Sequence, residues 1–348
     1  MAPHRIRLVA GELSAEIAPE RGGSVAGFRV GDTPLLWPER ATRPGEFGAE
    51  SMACFPLVPF VNRIRDGRFR HAGRPFAIPR NTPRPHPLHG EGWLAAWSAD
   101  AHDGRSALLS LQPEAHGWPW RYRAFQRFEL DPGGLTVTLG LQSLASEPFP
   151  FSLGLHPYFP HPADALLQAS CHRVWSGDGT GIPTRADVIP READFGEARA
   201  VAAEPLDHCF DGWDGRATIR WPAAGLALTL EAEGCGFLQV YSPPGEPFFC
   251  VEPMTARPDA FNPNTSDLSP IDLIEPGGRR QISMRLELAR LDEYLRRQAG
   301  SGQGRPARGP QVTRMALQFP APGFAFETPG RVRSLHHRPR SGVSSASC

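Results

Sequence analysis

Two short segments place side chains capable of proton transfer among apolar neighbours. Gly154-Leu155-His156-Pro157-Tyr158-Phe159 sets one imidazole between a glycine-leucine strand end and a proline, with two aromatic rings directly after. Phe248-Phe249-Cys250-Val251-Glu252-Pro253 sets one carboxylate in a similarly apolar run that also ends at proline. Imidazole ordinarily titrates nearest neutrality, so His156 suits a general acid. Desolvation raises a carboxyl's pKa and makes Glu252 a stronger base while it stays ionised. Tyr158 and Phe159 would form a wall for a ligand with both apolar and hydroxylated surfaces, as a sugar has. Each residue also has a structural reading: His156 as a packed histidine in a bent strand, and Glu252 as a buried carboxylate paired with Arg63 or Arg257.

Three further segments carry polar groups that match hydroxylated ligands. In Phe60-Val61-Asn62-Arg63-Ile64-Arg65-Asp66-Gly67, Asn62 offers donors and an acceptor, and Arg63 a planar fork of donors. The alternative is a loop in which Arg63 or Arg65 pairs with Asp66. In His86-Pro87-Leu88-His89-Gly90, followed by Trp93 and Trp97, His89 is a hydrogen-bonding group at a loop tip, and Gly90 lets backbone approach a ligand closely. A histidine satisfied by backbone alone is the rival. Proline between the two histidines blocks helical presentation and no third ligand has metal-site spacing, so no metal is expected there. In Leu206-Asp207-His208-Cys209-Phe210, Asp207 can accept from sugar hydroxyls while Phe210 or Trp213 covers an apolar pyranose face; equally, Asp207 can cap a turn.

The elements that must position these groups are strands. Leu135, Val137, Leu139 and Leu141 alternate with polar or small residues after the turn Asp131-Pro132-Gly133-Gly134. Leu226, Leu228 and Leu230 alternate likewise, as do Ile282, Met284, Leu286 and Leu288 after Glu275-Pro276-Gly277-Gly278. Period two puts one face of each strand into a core and the other towards water or a second layer. Phe125 and Phe128 belong to a strand feeding the Asp131 turn, and one short helix is expected at about 291–298, without chemistry. The 38 prolines and 36 glycines suit many turns between short strands. The fold class is therefore all-β, a large antiparallel β-sandwich with few helices. Residues 1–299 form its domain, and from residue 300 a Gly/Pro/Ser/Arg-rich tail is expected to be disordered.

Composition excludes several functions. The 37 basic residues balance 37 acidic ones, so no charge excess recommends nucleic acid or an anionic membrane as partner. All 37 are arginine: without lysine there is no Schiff base, no lysine-held pyridoxal cofactor and no Walker-type phosphate loop. The six cysteines (54, 171, 209, 235, 250 and 348) show no C-x-x-C pair and read as buried thiols of a reducing compartment. The apolar flanks of Cys250 raise its pKa rather than activate it. The first eleven residues lack a signal core and no apolar run reaches the ~20 residues that span a bilayer, so the cytoplasm is expected.

Taken in order, Asn62-Arg63-Ile64 with Asp66-Gly67, Pro87-Leu88-His89-Gly90, Gly154 to Phe159, Asp207-His208, and Cys250-Val251-Glu252 followed by Pro258-Asp259-Ala260 resemble the aldose 1-epimerase (galactose mutarotase) family over about residues 5–290. The resemblance implies a supersandwich that binds a monosaccharide as monomer or homodimer, without cofactor or metal. It makes His156 the general acid and Glu252 the general base, with Asn62, Arg63, His89 and Asp207 holding the sugar. One departure stands out. Glu252 follows a short Ser242-Pro243-Pro244-Gly245 turn where longer galactose-specific members carry extra sequence, and Pro247 falls about where some of them place a sugar-contacting glutamine. Galactose preference is therefore not implied. A hexose-6-phosphate mutarotase of the same fold, needing converging arginines such as Arg63, Arg65 and Arg257, and a non-catalytic sugar-binding sandwich are the competing functions.

Overall fold

The computed structural model describes residues 5–301 other than 115, 116, 178, 202–204, 265, 266, 268 and 269. The tail expected from residue 300 lies, from residue 302 onward, outside the described residues.

Among the described residues an 11-stranded and a 9-stranded sheet dominate, with two two-stranded ribbons beside them. The larger sheet runs Ile6–Ala10, Leu13–Ala18, Ser24–Val30, Cys54–Leu57, Gly154–Pro160, Phe248–Met254, Phe237–Ser242, Leu206–Asp211, Arg173–Gly177, Pro183–Asp187, with Thr33–Pro34 beside the third. The smaller sheet centres on Leu226–Glu233, Arg279–Arg290, Gly134–Ser143 and Tyr122–Asp131. The paired strands are antiparallel, as the turn-rich sequence implies.

One apolar cluster unites both sheets: Leu8, Ile17, Phe28, Leu155, Phe159, Phe210 and Phe249 pack with Val137, Leu139, Leu228 and Leu286. The expected alternations build it. Leu135, Val137, Leu139 and Leu141 are buried in Gly134–Ser143, and Ile282, Met284 and Leu286 in the neighbouring strand. Phe125 and Phe128, three apart, take opposite faces. Phe128 enters the core, while Phe125 lies over Gly140, where a Cβ would meet its ring at 2.0 Å. In Leu226–Glu233 the first five residues are all buried, so both faces are covered there. The helix at Leu291–Ser301 packs on this strand, and its Tyr294 hydroxyl donates to Thr218 Oγ1.

A second cluster lies on the other face of the larger sheet. Phe55, Leu57, Tyr158, Trp175, Cys209, Phe248, Cys250 and Met254 meet Met52, Val61, Leu88 and Trp93 from the loops above them. Because successive strand residues alternate, His156 and Tyr158 share this face while Phe159 does not. Phe159 is fully buried between the sheets against Phe249, so only Tyr158 can form the expected wall. The same parity removes Phe210 from the sugar side: Cys209 faces the second cluster and Phe210 the inter-sheet core, which Trp213 also joins.

Candidate active site

The strand register assembles the site. Gly154 pairs with Met254 and Tyr158 with Cys250, so His156 stands opposite Glu252. On its other side His156 pairs with Phe55; Glu252 pairs with Gln239, Gln239 with Cys209, and Cys209 with Trp175. A single cross-strand row of Phe55, His156, Glu252, Gln239, Cys209 and Trp175 thus crosses the sheet at about 4.8 Å per strand. Three ladders fix its centre, and a slip of one residue in any would turn that strand's side chains to the wrong face.

His156 Nε2 lies 3.3 Å from Glu252 Oε1, and both residues are buried. The imidazole is clamped in a ring stack: Trp93 on Phe55, Phe55 on His156 and His156 on Tyr158, at centroid separations of 5.5, 4.4 and 4.8 Å. This holds the ring without consuming its nitrogens. His156 Nδ1 and Glu252 Oε2 are buried without a hydrogen-bond partner among the described residues. Neither arginine considered from sequence pairs with Glu252. Arg257 is bound through two nitrogens to Asp267, and its guanidinium lies over the Trp175 ring.

Burial penalises charge on both members of the pair. It drives the Glu252 carboxyl well above its ordinary range; the nearby Asp207 carboxylate adds to this, and Arg63 opposes it. It drives the His156 imidazole down, helped by the Arg84 charge. Both shifts favour the uncharged pair, with carboxyl protonated and imidazole neutral, over the ion pair.

The sugar-side groups come from two loops stitched to each other. His89 N–H donates to the Asn62 carbonyl at 2.8 Å, and Asn62 N–H donates to His89 Nδ1 at 3.2 Å. Nδ1 is therefore an acceptor, and the ring proton sits on Nε2. Burial, His156, Arg63 and Arg84 all depress the pKa of His89, keeping it a neutral donor. Asn62 and His89 both have left-handed backbones (φ 50° and 58°), tolerated best by such short polar side chains. His89 is thus held by backbone and also aimed at His156, with ring centroids 5.5 Å apart at 89°. Gly90 does not make room for a ligand: a Cβ there would lie 2.1 Å from the Val58 carbonyl oxygen. His86 Nδ1 accepts from Asp66 N–H, as His89 Nδ1 does from Asn62 N–H, so each histidine ties its loop to a different residue of the facing loop.

Arg63 donates to Asn62 Oδ1 at 3.0 Å, its carbonyl accepts from Asp259 N–H, and its guanidinium packs against Gly181. Asp259 Oδ1 also accepts from Arg65 N–H, which ties the Pro258-Asp259-Ala260 segment to this loop. Asp207 sits exposed at the rim in a strand, so it caps no turn. Its Oδ1 accepts from Gln239 Nε2 at 2.6 Å, and Gln239 Oε1 lies 3.5 Å from Asn62 Nδ2. All six residues singled out from sequence are therefore linked by contact, register or charge. Gln239 was not foreseen. It joins Asp207 to Asn62 beside Glu252, and its signal was a buried amide between Leu238 and Val240.

Cys54, Cys171, Cys209, Cys235 and Cys250 carry free thiols, and Cys348 lies outside the described residues. Burial pushes the Cys250 thiol far up, and the neighbouring Glu252 adds to the shift. Among the described residues, His156, Cys250 and Glu252 form a group of three metal-ligating side chains whose ligand atoms lie within 4.8 Å of one another. No helix among them is long and apolar enough to cross a membrane.

Comparison with known proteins matches these features to one family. The family model for aldose 1-epimerase matches residues 4–287. Uncharacterized protein YphB of Escherichia coli K12 is 34% identical over 271 residues, covering 74% of this chain and 90% of that protein. A crystal structure from Escherichia coli K12, provisionally described as an aldose 1-epimerase, superposes with a TM-score of 0.76 at 30% identity, covering 83% of this chain and 99% of that one. A galactose mutarotase-like protein from Clostridium acetobutylicum has a TM-score of 0.71 at 22% identity, covering 82% and 94%, which establishes likeness of fold.

Proposed function

Because the chain belongs to the aldose 1-epimerase family, we propose that it interconverts the α and β anomers of a free aldose, with His156 and Glu252 moving the protons. The observation that carries this reading is the buried pair itself, 3.3 Å apart. Ring opening takes a proton from the anomeric hydroxyl and gives one to the ring oxygen. Both oxygens are bonded to the same carbon, so base and acid must be neighbours. The aldehyde then rotates about its C1–C2 bond and closes on the other face, with the two groups exchanging roles.

The reaction needs one proton on the pair at every stage, and burial favours the uncharged state, which holds one. With Glu252 ionised and His156 protonated, Glu252 removes the hydroxyl proton and His156 protonates the ring oxygen. The uncharged arrangement, which burial favours, runs the same exchange from the other end. His89 Nε2–H, the Arg63 fork, Asn62 and Asp207 supply complementary donors and acceptors for the remaining hydroxyls. Gln239 holds Asp207 in place for that task.

An uncharged sugar fits better than a phosphorylated one. Of the three arginines that would clamp a phosphate, Arg257 faces Asp267 and Arg65 lies near Asp259, which leaves Arg63, bonded to Asn62, beside the site. The free thiols suit the cytoplasm. Polarimetry and anomer-resolved NMR on freshly dissolved α-D-glucose and a panel of aldoses test the proposal. His156→Ala and Glu252→Gln should each slow the accelerated mutarotation by at least ~10²-fold while the fold survives, as expected for loss of an acid or base. Near wild-type rates in either folded variant refute the mechanism, and faster turnover of glucose 6-phosphate than of every free aldose refutes the substrate class.

A further inference from the structure

We propose that His156, Cys250 and Glu252 also form a binding site for one thiophilic divalent cation, Zn²⁺ being the type case, and that its occupancy shuts off proton transfer. Cys250 and Glu252 are two apart in Phe248–Met254, so both side chains leave the same face, and His156 stands opposite Glu252 on the adjacent strand. The three ligand atoms lie within 4.8 Å of one another and all three residues are buried.

The spacing matches a tetrahedral centre. Nitrogen and oxygen ligands at about 2.0–2.1 Å from Zn²⁺ stand about 3.3 Å apart at the tetrahedral angle. The observed separation between His156 Nε2 and Glu252 Oε1 is 3.3 Å. That is longer than a charge-assisted hydrogen bond, so the pair does not close on itself. A thiolate at about 2.3 Å from the ion needs about 3.6 Å to its co-ligands, a contraction of about 1.2 Å at most that a Cys250 rotamer can supply. Glu252 Oε2 is buried with no partner among the described residues, so the carboxylate is not committed elsewhere.

Charge favours the ion. One thiolate and one carboxylate neutralise a dication beside a neutral imidazole, which removes the cost of burying Glu252 in charged form. The cation takes its ligands in deprotonated form, so binding strengthens as pH rises. Thiolate with imidazole selects Zn²⁺, Cd²⁺ or Co²⁺ over Mg²⁺ and Ca²⁺. Ligation stands on geometry alone; inhibition of mutarotation additionally rests on the function proposed above.

The full chain is titrated with Co²⁺ while the near-ultraviolet thiolate-to-cobalt charge-transfer band is followed. One equivalent should saturate the band, Zn²⁺ should displace it, and Cys250→Ser and Cys250→Ala should both lack it while keeping the wild-type circular dichroism. In parallel, Zn²⁺ but not Mg²⁺ should inhibit mutarotation, reversibly with EDTA. Both Cys250 variants should stay active and need at least about tenfold more Zn²⁺, as expected for loss of a soft ligand. A band that persists in both variants, no band in the wild type, or Zn²⁺ sensitivity equal in wild type and variants overturns the proposal. A chain with the band but no mutarotation on any aldose keeps the cation site and refutes the function instead.

Discussion

Replacing Glu252 by Gln should make the protein less active and, above neutral pH, more stable. In the unfolded chain Glu252 titrates near 4.5 and His156 near 6.5; in the folded chain burial raises the first and lowers the second. A raised carboxyl contributes stability that is present below 4.5 and lost as pH rises. A depressed imidazole contributes stability that is present above 6.5 and lost as pH falls. Between those values the unfolded pair holds one proton, as does the uncharged pair that burial favours in the fold, so the two shifts oppose each other in their effect on wild-type stability there. Above 6.5 the unfolded pair has lost both protons, and stability falls by up to about 1.4 kcal/mol per pH unit until the raised carboxyl of the folded chain ionises.

The Gln variant retains only the depressed imidazole. Its stability climbs by the same slope up to pH 6.5 and is flat above it. The difference between variant and wild type should therefore grow with rising pH, at up to about 1.4 kcal/mol per unit, until the raised carboxyl of the folded chain ionises. Groups common to both proteins cancel from that difference. Urea denaturation at half-unit pH steps measures it directly. A difference that is constant, or that moves against the variant as pH rises, would mean that Glu252 is held as a carboxylate in the fold and would refute this reasoning.

Three other perturbations follow from single contacts. Gln239→Ala removes the 2.6 Å bond to Asp207, and a lost bond to a charged group, about 1.5–3 kcal/mol, should raise KM for the aldose roughly tenfold or more with a smaller change in kcat. Gly181→Ala forces a Cβ to within 2.7 Å of the Arg63 guanidinium at a residue with φ +80°. It should cost about 1–2 kcal/mol in thermal denaturation and weaken sugar binding seen by calorimetry. Arg257→Ala leaves Asp267 without its ion-pair partner and removes the nearer of two guanidinium groups over Trp175, so unfolding in guanidinium should show a loss of about 3 kcal/mol or more, with the His156–Glu252 chemistry intact in what remains folded.

Period-two patterns were enough to read the strands at Leu135 to Leu141 and at Ile282 to Leu286, because burial on one face writes itself into the sequence. Parity was the part overlooked. Counting from His156, Tyr158 must share its face and Phe159 must oppose it; counting from Asp207, Phe210 must point the other way. The six site residues were visible as polar groups in apolar or turn-rich settings. What joined them was not, because pairing of residues as distant as 62, 156, 207 and 252 is set by strand order and register. Gln239 illustrates this: within its own strand it is an unremarkable amide, and only the neighbouring strands give it Asp207 and Asn62 as partners. The left-handed backbones of Asn62 and His89 likewise depend on the reciprocal bonds between two loops.

The site divides along a line that the fold draws. His156 and Glu252 sit in sheet ladders buried on both faces, whereas Asn62, Arg63 and His89 sit in loops held by a few hydrogen bonds. Loops tolerate insertion and substitution far better than central strands. Descendants of such a chain can therefore drift from one sugar to another by rebuilding the loops while inheriting the proton exchange unchanged. Selection for a new substrate in the laboratory should accumulate its mutations near residues 61–66 and 86–91 and leave the ladder alone.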